Sequence, residues 1–176
     1  MRKIRERGAL AAAAALAVCA AVLAASAGAQ EPARQLFWGA DYARWTLVSG
    51  YFVSESHDNR WVRVSVSNPA AAAVFRENAE RILNAKGEGL RAYPVGSIIA
   101  MESFERTADL KVGTKGPVYF MRKEPPGYDA DGSDWRYAMQ SAEGALLVNG
   151  TDRSATLCKR CHGLAITRDF IFAKDR

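Results

Sequence analysis

The feature that most constrains this chain is the motif C-K-R-C-H at Cys158–His162, which lies close to the C-terminal end of the sequence. Cysteines three positions apart share one face of a helix, and the adjacent histidine adds a nitrogen ligand. Only the segment 163–176 follows this motif. We therefore expect the residues before the motif to form most of any pocket around it.

The spacing C-x-x-C-H is typical of covalent c-type haem attachment, in which the thiols bind the haem vinyl groups and the histidine binds the iron. A zinc site, a redox disulfide and a chance match are the alternatives. Zinc needs about four ligands, and His57 is the other histidine of the chain. A redox C-x-x-C normally begins a helix in a βαβ unit. We therefore predict one haem c per chain, attached at Cys158 and Cys161 and ligated by His162.

Segment 1–29 has the pattern of a secretory signal peptide, with a basic start, a short apolar run and small residues at Ala27 and Ala29. We expect cleavage after one of these alanines and a periplasmic or otherwise exported domain 30–176 without membrane contact; a permanent anchor is the alternative. Removing this segment leaves 20 basic against 18 acidic residues. That balance does not support nucleic-acid binding.

The mature domain is rich in patterns that predict strands. Alternating apolar and β-branched residues predict strands at 44–56, 61–68, 96–106, 116–124 and 134–140. Asn68 and Pro69 predict the start of a helix that ends near Gly87, and its predicted buried face is Ala72, Phe75, Ala79, Ile82 and Leu83. Asp152 or Ser154 is predicted to cap a short helix that carries the cysteines. We predict a mainly β (α+β) fold with an antiparallel sheet, one packing helix and this short C-terminal helix.

Seven segments of the mature domain recur together in one known family. They are W-x-L-V at Trp45, the hairpin strand before NPAA, YPVGSIIAMESF, YFM, GYDADGSDWRYA, CKRCH and DFIF. In this combination the chain resembles the cytochrome P-460 and cytochrome c′-beta family of exported β-sheet haem proteins, although each segment alone is weak. The resemblance implies that His162 is the only protein ligand of the iron and that the distal position is open to a small molecule. By family analogy it also suggests a homodimer.

The resemblance further implies a choice between two branches of the family, and Met101 bears on that choice. In the branch that oxidises hydroxylamine, a lysine in the segment similar to GSIIAMESF cross-links to the haem. Aligning Gly96 and Glu102 puts Met101 at this position, and methionine cannot form the amine cross-link. We therefore expect a small diatomic ligand such as nitric oxide to bind. The alternatives are an oxidoreductase acting on hydroxylamine or a related nitrogen compound, and an electron-transfer cytochrome with Met101 on the iron and a periplasmic redox partner.

Four side chains are candidates for the distal pocket; for each, ordinary core packing is an equal alternative. They are Phe52, Met101, Phe104 and Tyr119.

Several charged or polar residues could also approach the haem. Arg136 is predicted to pair with a haem propionate, or alternatively with an acid of the loop 129–134. Glu102 should point away from Met101 and form a salt bridge. Glu124 begins the loop that carries the distal acid in the catalytic branch of the family. His57 lies in the turn HDN, where we expect a solvated side chain; a position at the haem site is the alternative.

Overall fold

The computed structural model describes residues 40–84, 89–150, 153–169 and 171. The predictions for segment 1–29, for the helix end near Gly87 and for Asp152 therefore lie outside the described residues. Among the residues that are described, no helix has the length and apolar character needed to cross a membrane.

An antiparallel sheet forms the body of the fold, which confirms the mainly β prediction. Its strands in chain order are β1 (Thr46–Leu47), β2 (Phe52–Ser54), β3 (Arg60–Val66), β4 (Ile98–Arg106), β5 (Val112–Lys123), β6 (Trp135–Gln140) and β7 (Leu146–Asn149). The spatial order is β1–β3–β4–β5–β6–β7, and β2 also pairs with β3. Each pair of neighbouring strands is antiparallel. Consecutive strands are therefore mostly neighbours, as short connections favour.

The strand predicted at 44–56 is divided into β1 and β2, which pair with different parts of β3. Between them, the Ser49 hydroxyl oxygen accepts a hydrogen bond from the Val64 amide at 2.8 Å. A side chain here takes the place of a backbone partner, which interrupts the ladder. Alternation of apolar residues gave no sign of this break.

The segment predicted as a loop at 107–115 is a turn at 107–111 and strand from residue 112 onward. A tight turn joins β4 to β5, with the Thr107 amide donating to the Lys111 carbonyl at 3.1 Å and Leu110 at a φ of 64°. β5 then begins at Val112, before the predicted start at Gly116.

Two α-helices pack against the sheet: α1 (Pro69–Asn84) against β3, and α2 (Arg153–His162) against β6 and β7. The predicted N-cap of α1 is confirmed, because the Asn68 side-chain oxygen accepts from the Ala71 amide at 2.8 Å. The predicted buried face is correct at Ala72 and Phe75 and wrong at Leu83, which is 52% exposed. The buried residues of α1 are Ala71, Ala72, Val74, Phe75 and Asn78.

The sheet has two faces with different coverings. The helix face contacts α1 and α2 and contributes to the larger core, which includes Val64, Ile99, Met121, Trp135, Tyr137 and Val148. The opposite face carries a smaller core made of Ala100, Val118, Phe120 and Ala138. Tyr42 and Trp45 pack over this smaller core. Both faces are therefore covered, and the motif helix lies on the helix face.

Candidate functional site

Helix α2 presents the cysteines and the histidine of the motif near its C-terminal end. Cys158 is half-buried and packs against the core of the helix face. Cys161 and His162 are also half-buried, and no disulfide joins the two cysteines. The predicted short helix with this motif is present, and Ser154 lies inside it rather than before it. Both thiols are thus on one short helix beside the sheet.

Tyr137 of β6 is the aromatic residue beside His162. The ring centroids are 5.3 Å apart and the rings are tilted by 52°. Tyr137 is 4% exposed, and its buried hydroxyl has no hydrogen-bond partner among the residues that the structure describes. Burial, and to a smaller extent the charge of Cys158, raises the pKa of this hydroxyl, which keeps its proton. A buried donor without a hydrogen bond costs about 1–3 kcal/mol. A bound group that accepts a hydrogen bond from Tyr137 would remove this cost.

Three of the predicted distal residues share the helix face of the sheet. Met101 is the cross-strand partner of Tyr119, and Tyr119 is the partner of Met139. Phe52 pairs with Val62, two residues from the partner of Met101, and so has the same orientation. Phe52, Met101 and Met139 are partly buried against the core that Cys158 also contacts. The structure therefore brings Phe52, Met101 and Tyr119 to the side of the sheet where the motif lies.

Phe104 is not brought to these residues. It lies three positions after Met101 in a regular pairing with β3, so its side chain points to the opposite face. There it packs edge-on against Tyr51 at 5.5 Å and beneath the Arg63 guanidinium at 5.6 Å. The prediction of Phe104 as a pocket residue needs this correction, because an odd offset along a strand reverses the face.

Arg136 also lies on the opposite face, since it alternates with Tyr137 along β6 and pairs with Arg122 across the ladder. Its guanidinium donates to the Asn149 side chain and lies 3.8 Å from the Glu124 carboxylate. The structure thus gives Arg136 partners other than a propionate beside His162. The alternative prediction, that Arg136 pairs with an acid of the loop 129–134, does not describe these contacts either, because Glu124 and Asn149 lie outside that loop.

The two carboxylates that were considered for the distal side form ion pairs on the opposite face. Glu102 is bonded to Arg63 at 2.6 Å and lies 3.6 Å from the Lys115 ammonium, as the expected orientation away from Met101 requires. Glu124 lies between Arg122 and Arg136, at 3.7 and 3.8 Å. Charges on this face are therefore compensated by other charges of the same chain.

The loop between β5 and β6 holds helix α2 and the segment after it. Lys159, inside the motif, forms an ion pair of 2.6 Å with Asp129. Asp169 accepts from the Ser133 hydroxyl at 2.7 Å and from the Lys123 ammonium at 3.2 Å, and its carbonyl accepts from the Trp135 indole at 3.1 Å. The sequence reasoning missed these contacts, although GYDADGSDW and DFIF, the segments that contain most of them, were among those singled out.

His57 was predicted as a solvated turn residue, and the structure supports the turn but not the solvation. Its ring is half-buried and packs against Tyr119 with a centroid distance of 4.6 Å. Burial, followed by the charge of His162, lowers the pKa of His57 to about 4, against a smaller opposing effect of Asp58. His57 and His162 therefore influence each other, although they are 105 positions apart in the sequence.

Comparison of the sequence with models of protein families identifies the family of this chain. The model of cytochrome P460 matches residues 39–173. The chain belongs to the cytochrome P460 family. No curated protein matches the chain. Membership in the cytochrome P460 family implies haem binding, and it confirms the resemblance that the sequence segments suggested.

The residues of this member of the family fit a haem group. Cys158 and Cys161 lie one helical turn apart, His162 is adjacent, and the ring of Tyr137 packs against that of His162. The buried Tyr137 hydroxyl has no hydrogen-bond partner among the described residues. Apolar side chains of Phe52, Met101 and Met139 border the same core. The donors are those of c-type attachment and axial ligation.

Proposed function

We propose that this cytochrome P460 family member is an exported mono-haem c-type cytochrome that binds a small nitrogen-oxide ligand such as nitric oxide. In this proposal Cys158 and Cys161 hold the haem, and His162 is the only protein ligand of the iron. The position opposite His162 is left open. Ferrous haem iron with a single axial histidine binds nitric oxide or carbon monoxide at its vacant position.

The covalent attachment rests on the geometry of α2. Its cysteines share one helical face, and Cys158 is in contact with the core, so a group bound to both sulfurs would be held against the helix face of the sheet. The exported location rests on the signal-peptide pattern of segment 1–29.

The open distal position rests mainly on the nature of the side chains on the helix face. Phe52, Met101 and Met139 contribute no charge, whereas the nearby carboxylates Glu102 and Glu124 form ion pairs on the opposite face. The carboxylates beside the motif helix, Asp129 and Asp169, are paired with Lys159 and Lys123. The surface formed by Phe52, Met101 and Met139 favours an uncharged ligand over an anion, because an unpaired buried charge is costly. This single observation carries the proposal of nitric oxide.

Met101 separates the proposal from the hydroxylamine-oxidising alternative. It lies on the helix face next to Tyr119, at the position where the resemblance puts the cross-linking lysine of the catalytic branch. Its thioether can pack against a haem but cannot form an amine cross-link. We therefore favour reversible ligand binding over oxidation chemistry.

The test is an optical titration of the ferrous, haem-loaded protein with nitric oxide, followed by one with hydroxylamine. We expect nitric oxide to give a saturable spectral change with one binding site per chain, and hydroxylamine to give no turnover in the presence of an electron acceptor. Turnover of hydroxylamine would favour the oxidoreductase instead.

Mass spectrometry supplies the matching structural test. The mature polypeptide should carry the mass of one haem, and digestion should find that haem on the peptide with Cys158 and Cys161. An additional bond between haem and any lysine would contradict the proposal. Arg136→Gln, on the opposite face, is the control variant that should keep the full haem content.

A further inference from the structure

The turn that carries His57 has a fixed geometry. The Arg60 amide donates to the His57 carbonyl at 3.2 Å, and the His57 amide donates to the Ser54 carbonyl at 3.2 Å. Asp58 and Asn59 both have left-handed backbone conformations, with φ of 57° and 54°. Asp and Asn tolerate these conformations better than most residues. The turn between β2 and β3 therefore sets where the His57 side chain begins.

Two contacts orient the imidazole. Ser54 Oγ lies 2.8 Å from His57 Nδ1, and the ring packs against Tyr119 at 4.6 Å with an interplanar angle of 62°. Tyr119 pairs with Met101 across the sheet and faces the same side. His57 is thus held over the helix face, where Phe52 and Met101 also lie, and its other nitrogen, Nε2, remains for an interaction with a bound molecule.

A neutral imidazole can offer one N–H donor and one acceptor. Burial is the largest effect on the pKa of His57 and lowers it, which favours the neutral imidazole. If the Ser54 hydroxyl donates to Nδ1, the imidazole proton resides on Nε2. In partly apolar surroundings a single oriented N–H has more effect on a ligand dipole than it would in water.

We propose that His57 is the specificity-determining polar group of the distal side, with Nε2–H donating a hydrogen bond to the small ligand at the iron and Ser54 positioning the ring. This inference rests on the proposed function, because it requires an open iron position on the helix face. It adds a directional donor to a surface that is otherwise apolar. Ligands that accept a hydrogen bond are then retained more strongly than their size alone would predict.

The test uses the full haem-loaded protein in its ferrous form with carbon monoxide and nitric oxide as probes. His57→Leu should raise the infrared C–O stretching frequency of the carbon monoxide complex, because a donor to the ligand oxygen has been removed. The dissociation constant for nitric oxide should rise about threefold to tenfold, the range expected for one hydrogen bond. Ser54→Ala should shift both quantities in the same direction by less, and His57→Gln should restore part of the effect.

Glu55→Gln is the matched control, because Glu55 is an exposed residue of the same turn; it should change neither quantity. An unchanged or lowered C–O frequency in His57→Leu, with ligands still bound, would overturn the role of His57 and leave the open-site function intact. A low-spin resting spectrum that becomes high-spin in His57→Leu would show His57 to be an iron ligand and would also overturn the proposal. Failure of the wild type and all variants to bind either gas would remove both proposals together.

Discussion

The two faces of the sheet are built from alternate residues of the same strands, yet only the helix face lies beside the motif helix. On the opposite face, Glu102 is paired with Arg63 and Lys115. On the helix face, the ring of Tyr137 packs against that of His162, and the buried Tyr137 hydroxyl has no hydrogen-bond partner in the described part of the chain. The comparison teaches that both faces keep a buried polar atom without a hydrogen bond, Ser65 Oγ and Glu124 Oε1 on the opposite face and the Tyr137 hydroxyl on the helix face, among the described residues. Of the three residues, Tyr137 is the one whose ring contacts His162 of the motif, where a bound molecule could satisfy the hydroxyl.

The largest effect is expected from removing both thiols of the helix face. In the double variant Cys158→Ala and Cys161→Ala, no covalent bond to haem can form, so the intact mass should equal that of the polypeptide alone. Covalently bound haem in this variant would contradict the assignment of the attachment site.

The second largest effect is expected from the substitution Asp169→Ala. Asp169 connects the segment after α2 to the loop before β6. Its carboxylate is bonded to Lys123 and Ser133, and both charged side chains are nearly buried. Removing one partner of a buried pair leaves the other uncompensated. Asp169→Ala should therefore lower the free energy of unfolding by about 3 kcal/mol in chemical denaturation. Asp109→Ala, which removes an exposed pair with Lys111, should leave it unchanged within error.

The neighbours Met101 and Glu102 test the comparison of the faces directly. Glu102→Gln should lower the free energy of unfolding by about 2 kcal/mol, because Arg63 and Lys115 lose the buried carboxylate that compensates their charges, and it should leave the haem spectrum as it is. Met101→Leu should change stability by less than about 1.5 kcal/mol and alter the rate at which nitric oxide leaves. If the two substitutions had the same effects, the two faces would not have separate roles.

Sequence alone could predict which face a residue occupies where local spacing determines it, and could not where contacts between distant segments determine it. The motif helix, the N-cap at Asn68 and the orientation of Glu102 follow from local spacing, and the structure agrees with all three. Phe104 was assigned to the pocket by residue type, although its odd offset from Met101 could have shown that it faces away.

The remaining differences depend on contacts between distant segments. Arg136 has Glu124 and Asn149 as partners only because β5, β6 and β7 are adjacent. His57 is half-buried because the hairpin end lies against Tyr119, which is 62 positions away. A turn pattern predicts the backbone of such a residue but not what covers its side chain.

The smallest effect is expected from acid titration of His57. Its pKa is lowered from 6.5 to about 4, first by burial and then by the charge of His162. Because the folded value lies below the unfolded one, the stabilisation is fully present above pH 6.5 and is lost as the pH falls towards 4. The free energy of unfolding should therefore fall more steeply over this range in the wild type than in His57→Gln. Parallel curves would show that His57 is not held neutral.

The optical spectrum of the ferrous protein at neutral pH, recorded before any ligand is added, tests the central claim most directly. We predict the spectrum of a five-coordinate, high-spin haem with His162 as its one axial ligand, because the helix face then leaves the other side of the iron open. A six-coordinate, low-spin spectrum would contradict this account and would favour electron transfer with Met101 or His57 on the iron.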